Sequence, residues 1–355
     1  MNVKVIRSFF LLGLISPLMV SAEWFRGNTH VHTVLCGHAD STPEAVTQWY
    51  HDRGYNFLIL SEHNKFIDPR TVKMPDNKRS DFILIPGEEV SGDHKVHTTA
   101  MNIDHLVDWH DEAAEGPTQV IQNHVHRIGE AHGHTILNHP HGGTNIGAPV
   151  ILPVEGLHMM EVYNANTKGS NIYKRAGMGY PLTAEAIWDE LLTGGRFVYG
   201  VGSDDAHILE DWNPEVSNPG MGWVMVEAAE LSSEAITEAM LGGEFYFSSG
   251  VFLSVCAKNS ETYAVVIDSE ATRTEIARLP DWSGMSVEEG IEGYRIEFIG
   301  PHGRILQSVR GKEAKLSIDP ALTYVRARAV FTRHDPDRGW EEYYAWGQPV
   351  FRDSP

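Results

Sequence analysis

The sequence predicts an α/β fold with a parallel sheet, followed by an antiparallel β domain at the C-terminal end. Two observations predict this class. Short apolar runs alternate with helical stretches up to about residue 249, and from about Gly250 strand-like runs and turns follow one another without helices. Strands that alternate with helices form parallel sheets, and many repeats suggest a barrel. We therefore expect a barrel domain at 23–249 and a β-sandwich-like domain at 250–355.

The first domain contains the regular elements that this class requires. Helices that begin at capping residues and end at glycine are expected at 42–54, 117–133, 183–194 and 232–242. Two prolines, Pro214 and Pro219, indicate a long loop over 208–222. Buried strands are predicted from short apolar runs at 57–60, 82–85, 135–137, 157–160 and 197–201.

The second domain contains a segment with the period of a half-buried strand. In 324–331, apolar residues alternate with Arg326 and Arg328, which places the two arginines on the face opposite the buried one. A covering layer must bury the apolar face, and the barrel or a second sheet can supply it. We expect this domain to contribute no metal ligand. Four aromatic residues are expected mainly in its core: Trp340, Tyr343, Tyr344 and Trp346.

Composition and the N-terminal segment restrict the class of protein. The chain has 28 basic and 48 acidic residues, and its net charge of −20 disfavours nucleic acid and anionic lipid as partners. Lys4 and Arg7 precede a short apolar run, and a small-x-small pattern ends at Ala22. This pattern is typical of a secretory signal peptide at 1–22. We expect a secreted or periplasmic protein without a membrane anchor after cleavage. The sequence leaves open whether Cys36 and Cys256 pair.

Histidine and carboxylate side chains follow the predicted strands. Of the 19 histidines, 17 lie in the first 207 residues. The carboxyl ends of parallel strands meet at one rim of a barrel, so side chains that follow the strands should converge, and histidine is a common metal ligand. The motifs are His30-Val31-His32 with His38, Ser61-Glu62-His63-Asn64, Pro86-Gly87-Glu88-Glu89 with His97, Asn138-His139-Pro140-His141, and Ser203-Asp204-Asp205-Ala206-His207.

This ordered set of motifs resembles the PHP (polymerase and histidinol phosphatase) superfamily. The residues within the motifs are most similar to those of its CehA/McbA-like metallohydrolase branch. The resemblance covers about residues 27–255 and implies a distorted (β/α)7 barrel. It also implies two or three divalent ions in a cleft, of zinc, manganese or iron. The implied ligands are His30, His32, Glu89 and Asp205 for one ion, Glu89, His97 and His139 for a second, and His38, His63 and His207 for the third.

Three of these assignments have a rival nearby in the sequence. Glu89 is preferred to Glu88 because the family pattern reads Gly-x-Glu, and His94 is a weaker rival to His97. Asp205 is preferred to Asp204 because Asp-x-His places both ligands on one face. The expected catalytic residues are Glu89, Asp205 and His207. Residues expected to contact substrate or to support the ligands are Asn64, His141, Glu161, Tyr163, Lys168 and Arg175.

The resemblance implies a metal-dependent hydrolase. A phosphoesterase for phosphodiesters or phosphomonoesters is the leading hypothesis, with a hydroxide that bridges two ions as the nucleophile. Hydrolysis of a carbamate, ester or amide at the same centre is the alternative. A third hypothesis is a non-catalytic module that binds a ligand or a glycan. The expected substrate is a small anionic ester, and the sequence leaves the oligomeric state open.

Overall fold

The computed structural model describes residues 22–74, 80–140, 146–167 and 183–351. Residues 1–21 of the predicted signal peptide and three predicted substrate residues, His141, Lys168 and Arg175, lie outside these ranges. No helix within them is both long and apolar enough to cross a membrane. The helices described are α1 (Pro43–His51), α2 (Pro117–Glu130), α3 (Ala148–Ile151), α4 (Ala184–Thr193), α5 (Ser233–Leu241) and α6 (Ser269–Ile276).

The largest sheet has ten strands in the described residues. Their path is β15-β14-β17-β18-β10-β9-β1-β2-β3, and β13 pairs with β18. Only the β1–β2–β3 part is parallel. The strands of this sheet are β1 (Glu23–Val31), β2 (Phe57–Leu60), β3 (Ile83–Leu84), β9 (Trp223–Ala228), β10 (Phe245–Ser248), β13 (Met285–Val287), β14 (Gly293–Gly300), β15 (Arg304–Arg310), β17 (Tyr324–Asp335) and β18 (Gly339–Phe351).

Two smaller sheets complete the strand layout. One is β4-β5-β6-β7-β8, in which β6, β7 and β8 are parallel and β5 is antiparallel to both of its neighbours. The other is the antiparallel sheet β11-β12-β16. These strands are β4 (Gly87–Ser91), β5 (His97–Met101), β6 (His134–Leu137), β7 (Met159–Asn164), β8 (Tyr199–Ser203), β11 (Phe252–Lys258), β12 (Thr262–Asp268) and β16 (Glu313–Ser317).

Isolated bridges connect the five-stranded sheet to the parallel end of the ten-stranded sheet. One bridge joins Val31 to Ala206, and the other joins His63 to Glu89. Each bridge is a single residue pair, so the described residues contain no closed sheet. The α/β class is confirmed, but the distorted (β/α)7 barrel is not. The antiparallel β4–β5–β6 part interrupts the expected alternation of strand and helix. The two bridges nevertheless bring the ends of β1, β2 and β8 close to β4.

Most predicted elements of the first region are present, with small shifts at their ends. The loop over 208–222 has no helix or strand. The prediction that no helix follows Gly250 is wrong, because α6 lies there. Asp268 caps α6 by accepting hydrogen bonds from the backbone N–H groups of Glu270 and Ala271, a local signal that the strand-rich composition concealed.

The ten-stranded sheet continues across residue 250. Strand β10 pairs on one side with β9 and on the other with β18, with Tyr246 opposite Gly347. The rings of Phe247 and Trp346 stack with centroids 4.9 Å apart. Tyr343, Tyr344 and Trp346 are buried in the core. The regions before and after residue 250 therefore share one sheet and one core, and the boundary at 249/250 stays a prediction.

Strand β17 carries an ion-pair network that the half-buried pattern did not predict. Arg326 is only 1% exposed, since α4 covers the arginine face of the strand. Its guanidinium lies 2.7 Å from Asp189 Oδ2 and 2.8 Å from Glu185 Oε1. Arg328 lies 2.9 Å from Glu185 Oε2 and 2.7 Å from Glu297 Oε2. We refer to these residues as the arginine cluster: Arg326, Arg328, Glu185, Asp189 and Glu297.

The two cysteines do not pair. Cys36 and Cys256 are both free thiols, and both are half-buried. Cys36 lies just after β1, whereas Cys256 lies on β11 and its sulfur is 3.8 Å from the Tyr263 hydroxyl. The possibility of a disulfide between them, which the sequence left open, is therefore not realised in this structure.

Candidate metal centre

Nine side chains from separate segments converge where the two sheets are bridged. They come from the end of β1 and the turn after it, from β4 and β5, and from the residues that follow β2, β6 and β8. They are all nine of the predicted ligands, although their role as metal ligands stays a prediction. We refer to them as the imidazole cluster: His30, His32, His38, His63, Glu89, His97, His139, Asp205 and His207.

Glu89 lies at the middle of this cluster. One carboxylate oxygen, Oε1, is 3.3 Å from His30 Nε2, 3.1 Å from His97 Nδ1 and 3.4 Å from His139 Nε2. The other oxygen, Oε2, is 2.7 Å from His63 Nδ1. A single fully buried carboxylate thus touches imidazoles on two sides. This is the placement that a carboxylate shared by two cations requires.

The most buried group of donors has the spacing of ligands around one ion. His30 Nε2 and His32 Nε2 are 3.1 Å apart, and each lies 3.3 Å from Asp205 Oδ1. Ligand atoms that surround an ion at about 2.0–2.2 Å lie roughly 3–3.5 Å from one another. His32 Nδ1 is buried and has no hydrogen-bond partner among the described residues. The donor types and their spacing therefore fit a divalent transition metal.

A second group of donors lies nearer the solvent. His38, His63 and His207 place one ring nitrogen each within 4.8 Å of one another. The His38 and His207 rings stack at 4.6 Å, and His38 is exposed. Cys36 belongs to a similar group with His32 and His207, which the sequence did not indicate, because a lone cysteine after β1 gave no motif. The cluster thus has a buried end, at His30 and His32, and a solvent-exposed end, at His38.

Polar neighbours hold the clustered side chains in place. Glu161 Oε1 is 2.8 Å from His30 Nδ1, and Glu161 Oε2 accepts a hydrogen bond from the backbone N–H of His139 at 2.8 Å. Asn138 Nδ2 donates to Glu89 Oε1 at 2.9 Å. Hydrogen-bonded partners of this kind orient metal ligands and fix the tautomer of a histidine. Sequence reasoning placed Asn138 in a motif but assigned it no role.

The structure separates the preferred ligands from two of their rivals. Glu88 is directed away from the cluster, and its Oε1 accepts a 2.6 Å hydrogen bond from the backbone N–H of Val107. Asp204 accepts hydrogen bonds from the Tyr50 hydroxyl, from the Asn28 amide, and from the backbone N–H groups of 220–222. Both oxygens of Asp204 are therefore engaged. Glu88 and Glu89 are successive residues on β4 and point to opposite faces, which explains why only Glu89 reaches the cluster.

The third rival, His94, lies outside the cluster. Its ring nitrogen Nε2 is 3.3 Å from the Ala114 carbonyl oxygen, and the side chain is exposed. His97, by contrast, is the residue that contacts Glu89. The turn at 93–95 between β4 and β5 carries His94 outward, because His94 adopts a left-handed backbone with φ of 54°.

The charges of the cluster are strongly coupled. Burial disfavours the charged form of His30, but Asp205, Glu161 and Glu89 raise its pKa well above the ordinary value. Burial lowers the pKa of His32 to about 3, which keeps this imidazole in the neutral form that ligates metals. Burial also opposes the charge on Asp205, yet His30 and the hydrogen bond from His32 hold the pKa of this carboxyl below its ordinary value. The Asp205 carboxyl is therefore held in its ionised form, which is the form that binds a metal.

Three residues in or beside the cluster adopt unfavourable backbone conformations. Asn64, His139 and Asp205 have φ angles of 52°, 23° and 49°. Left-handed conformations cost free energy for residues other than glycine and concentrate at functional sites. Asn64 directly follows the bridge residue His63, whereas His139 and Asp205 lie two residues past the ends of β6 and β8. The strain therefore lies at the positions that direct side chains into the cluster.

The described substrate candidates divide by position. Asn64 is engaged with the backbone of Ser91, to which it both donates and accepts. Glu161 is buried and contacts His30 Nδ1, so it orients the His30 ring and does not line an open surface. Tyr163 is buried, and its ring stacks on Trp346 at 5.6 Å in the core. None of the three has an exposed side chain directed to the open side of the cluster.

Comparisons with known proteins give only distant structural similarity. No protein-family model and no curated protein matches the sequence. A two-domain protein from Bacteroides vulgatus, described as containing a predicted PHP-like metal-dependent phosphoesterase, is 13% identical, with 91% of this chain and 95% of that chain covered and a TM-score of 0.44. PsfC from Pseudomonas syringae is 13% identical, with 58% and 82% covered and a TM-score of 0.38. Similarity at this level does not establish a family, so function must be inferred from the residues of the cluster.

Proposed function

We propose that this protein is a secreted or periplasmic metal-dependent hydrolase that acts on small phosphodiesters or phosphomonoesters. The observation that carries the proposal is the position of Glu89, whose two oxygens touch histidines from different donor groups. A shared carboxylate is characteristic of sites that hold two cations close together. Bound divalent cations would supply an activated water and would neutralise negative charge on an ester.

The chain's own residues would prepare this chemistry. Glu161 fixes the ring of His30, and Asn164 and Asn166 donate to Asp205 Oδ2 at 3.3 Å. Because these hydrogen bonds hold the side chains of His30 and Asp205 in place, the donor groups would stay aligned before a substrate arrives. The exposed His38 leaves one side of the cluster open to solvent, where a small ester could approach. A net charge of −20 makes nucleic acid an unfavourable substrate, whereas cations in the cluster would give it a local positive field.

The test combines metal analysis with a substrate panel. Protein loaded with zinc, manganese or iron should contain two or three ions per chain. It should hydrolyse aryl phosphate monoesters or diesters faster than aryl carbamates and carboxyl esters. Fewer than one ion per chain after loading would contradict the proposal. Faster cleavage of the carbamates or carboxyl esters would keep the metal centre and replace the substrate class.

A matched pair of variants locates the centre. Glu89→Gln should lower both metal content and rate, the latter by on the order of 10³-fold, because a metal supplies several kcal/mol of charge stabilisation. Glu88→Gln replaces a buried glutamate one position away that does not face the cluster. It should retain metal and most of the activity. Equal losses in the two variants would show that the cluster is not the catalytic centre.

A further inference from the structure

A cavity lies apart from the imidazole cluster. It has a volume of about 770 Å³ and is bounded by α1, the loop over 208–222, and the segment from α6 to residue 282. None of the nine predicted metal ligands lines it. The loop over 208–222 connects the cavity to the imidazole cluster. It begins just after His207, and the backbone N–H of Gly220 in the cavity wall donates a hydrogen bond to Asp204. The metal-dependent function proposed above makes no use of this cavity.

Three tryptophans from separate segments form part of its wall. Trp49 lies on α1, Trp212 in the loop and Trp282 after α6, and all three are half-buried. The Trp49 and Trp212 rings are nearly parallel, with centroids 6.0 Å apart. The indole N–H of Trp212 donates to the Leu209 carbonyl at 2.7 Å, which fixes its ring. Large aromatic surfaces that stay partly exposed around a concave volume are typical of small-molecule sites.

The same wall carries an excess of positive charge. Three arginines line it, against two acids, in a chain whose net charge is −20. The guanidinium of Arg53 lies 3.8 Å from the Trp49 ring centroid. Arg26 is buried and paired with Glu275 at 2.6 Å, yet its Nε has no hydrogen-bond partner among the described residues. Arg278 is exposed at the edge of the cavity.

We propose that this cavity binds a small anionic ring compound, whose flat face stacks on the tryptophans and whose anionic group pairs with Arg53 and Arg278. The aromatic wall accounts for the ring, and the arginine excess accounts for the negative charge. A sugar acid and an aromatic acid share this chemistry. Both have an apolar ring face and a carboxylate, so the experiment uses one probe of each kind.

The test is calorimetric titration of the full-length, metal-loaded protein with glucuronate and with benzoate, using glucose and benzyl alcohol as neutral counterparts. At least one anionic probe should bind with a dissociation constant of about 1 mM or below, and its neutral counterpart should bind at least tenfold more weakly. Tighter binding of glucuronate identifies a sugar-acid site, and tighter binding of benzoate identifies an aromatic-acid site. Absence of saturable binding for both anions, or equal binding of the neutral compounds, overturns the proposal.

Variants test whether the probe binds in this cavity. Arg278→Gln changes an exposed residue and should weaken binding about tenfold, and Trp212→Ala should abolish it. Trp109→Ala alters a half-buried tryptophan outside the cavity and should leave binding unchanged. Circular dichroism checks that each variant is folded. Glu89→Gln should also retain binding. Loss of binding in Glu89→Gln, or full binding in Arg278→Gln and Trp212→Ala together, overturns the proposal, because the anion then occupies the imidazole cluster or another surface.

Discussion

The imidazole cluster and the arginine cluster are both groups of ionisable side chains that are largely removed from solvent, but they differ in how their charges are compensated. In the arginine cluster, each guanidinium has two carboxylates within 3 Å, and each carboxylate has a guanidinium partner. In the imidazole cluster, seven histidines surround two carboxylates, and their ring nitrogens converge on one another. A network in which every charge has a partner needs no bound ion to be stable. Metal-binding donors that converge on one another are stabilised when they bind a cation.

We expect the removal of divalent cations to have the largest effect on activity and stability, and to act through the imidazole cluster alone. A chelator should abolish hydrolysis and lower the free energy of unfolding. A ligand that binds only the folded state contributes about 4 kcal/mol at a concentration 1,000 times its dissociation constant. Unfolding and activity should be measured before chelation, after it, and after zinc or manganese is restored. If neither responds, the imidazole cluster is a structural network like the arginine cluster.

Breaking the arginine cluster should unfold the protein more easily without changing its chemistry. Arg326→Gln leaves Asp189 and Glu185 buried with less countercharge, which should lower the free energy of unfolding by about 3–5 kcal/mol. Urea unfolding measures the loss. Arg70→Gln is the control, because its ion pair with Asp68 is exposed and should contribute far less. A loss in Arg326→Gln no larger than in Arg70→Gln would contradict this prediction, and so would a lower metal content of the folded variant.

A smaller effect is expected from the residue that positions His30. Glu161→Gln should lower metal affinity or activity by about 10–100-fold, because partners that orient metal ligands have effects of this size. Metal affinity and rate should be measured together. Glu88→Gln is again the control, as a buried glutamate outside the cluster. If Glu161→Gln behaves like the control, the 2.8 Å contact with His30 does not position a ligand.

The smallest effect concerns the acid range. Burial opposes the charge on Glu185, but Arg328 and Arg326 hold its pKa below the ordinary value of 4.5. A carboxylate with a lowered pKa stabilises the fold above that ordinary value, and this stability is lost as the pH falls through the folded-state pKa. Glu185→Gln should therefore be less stable than the natural protein at neutral pH, and the difference should shrink as the pH falls below 4.5. Unfolding curves at several pH values measure it, and a difference independent of pH would contradict the assignment.

The residues of the candidate site could be predicted more completely than the order of strands in the sheets. Residues after neighbouring parallel strands meet at one edge, and this rule covers the predicted ligands that follow β2, β6 and β8. Glu89 and His97 lie on antiparallel strands, so their assignment rests on the family resemblance. Glu89 was preferred to Glu88 because the family pattern reads Gly-x-Glu, and Asp205 was preferred to Asp204 because Asp-x-His places both side chains on one face. The structure brings Glu89 and Asp205 into the cluster and leaves Glu88 and Asp204 outside it. The PHP resemblance stays a prediction, since distant structural similarity alone does not establish it. The supporting role of Asn138 was missed because a single amide in a motif has no spacing signature.

Long-range pairing could not be predicted from local patterns. Arg326 was expected on the face opposite the buried one, because alternation along a strand shows which residues share a face but not what covers the other one. Its partner Asp189 lies on α4, far away in the sequence. The shared sheet across residue 250 was missed for the same reason, since strand order depends on contacts between distant segments. Helix α6 was missed because the surrounding strand pattern outweighed its N-terminal cap.

The position of β18 between β17 and β10 has a consequence for how the chain matures. This strand is the last one described, yet it lies in the interior of the ten-stranded sheet. As the chain emerges from the ribosome, β10 must wait for β18 before both of its edges are paired. During that interval its unpaired edge can recruit strands from other chains. We expect nascent chains that stop short of residue 339 to depend on chaperones, and completed chains to be released from them.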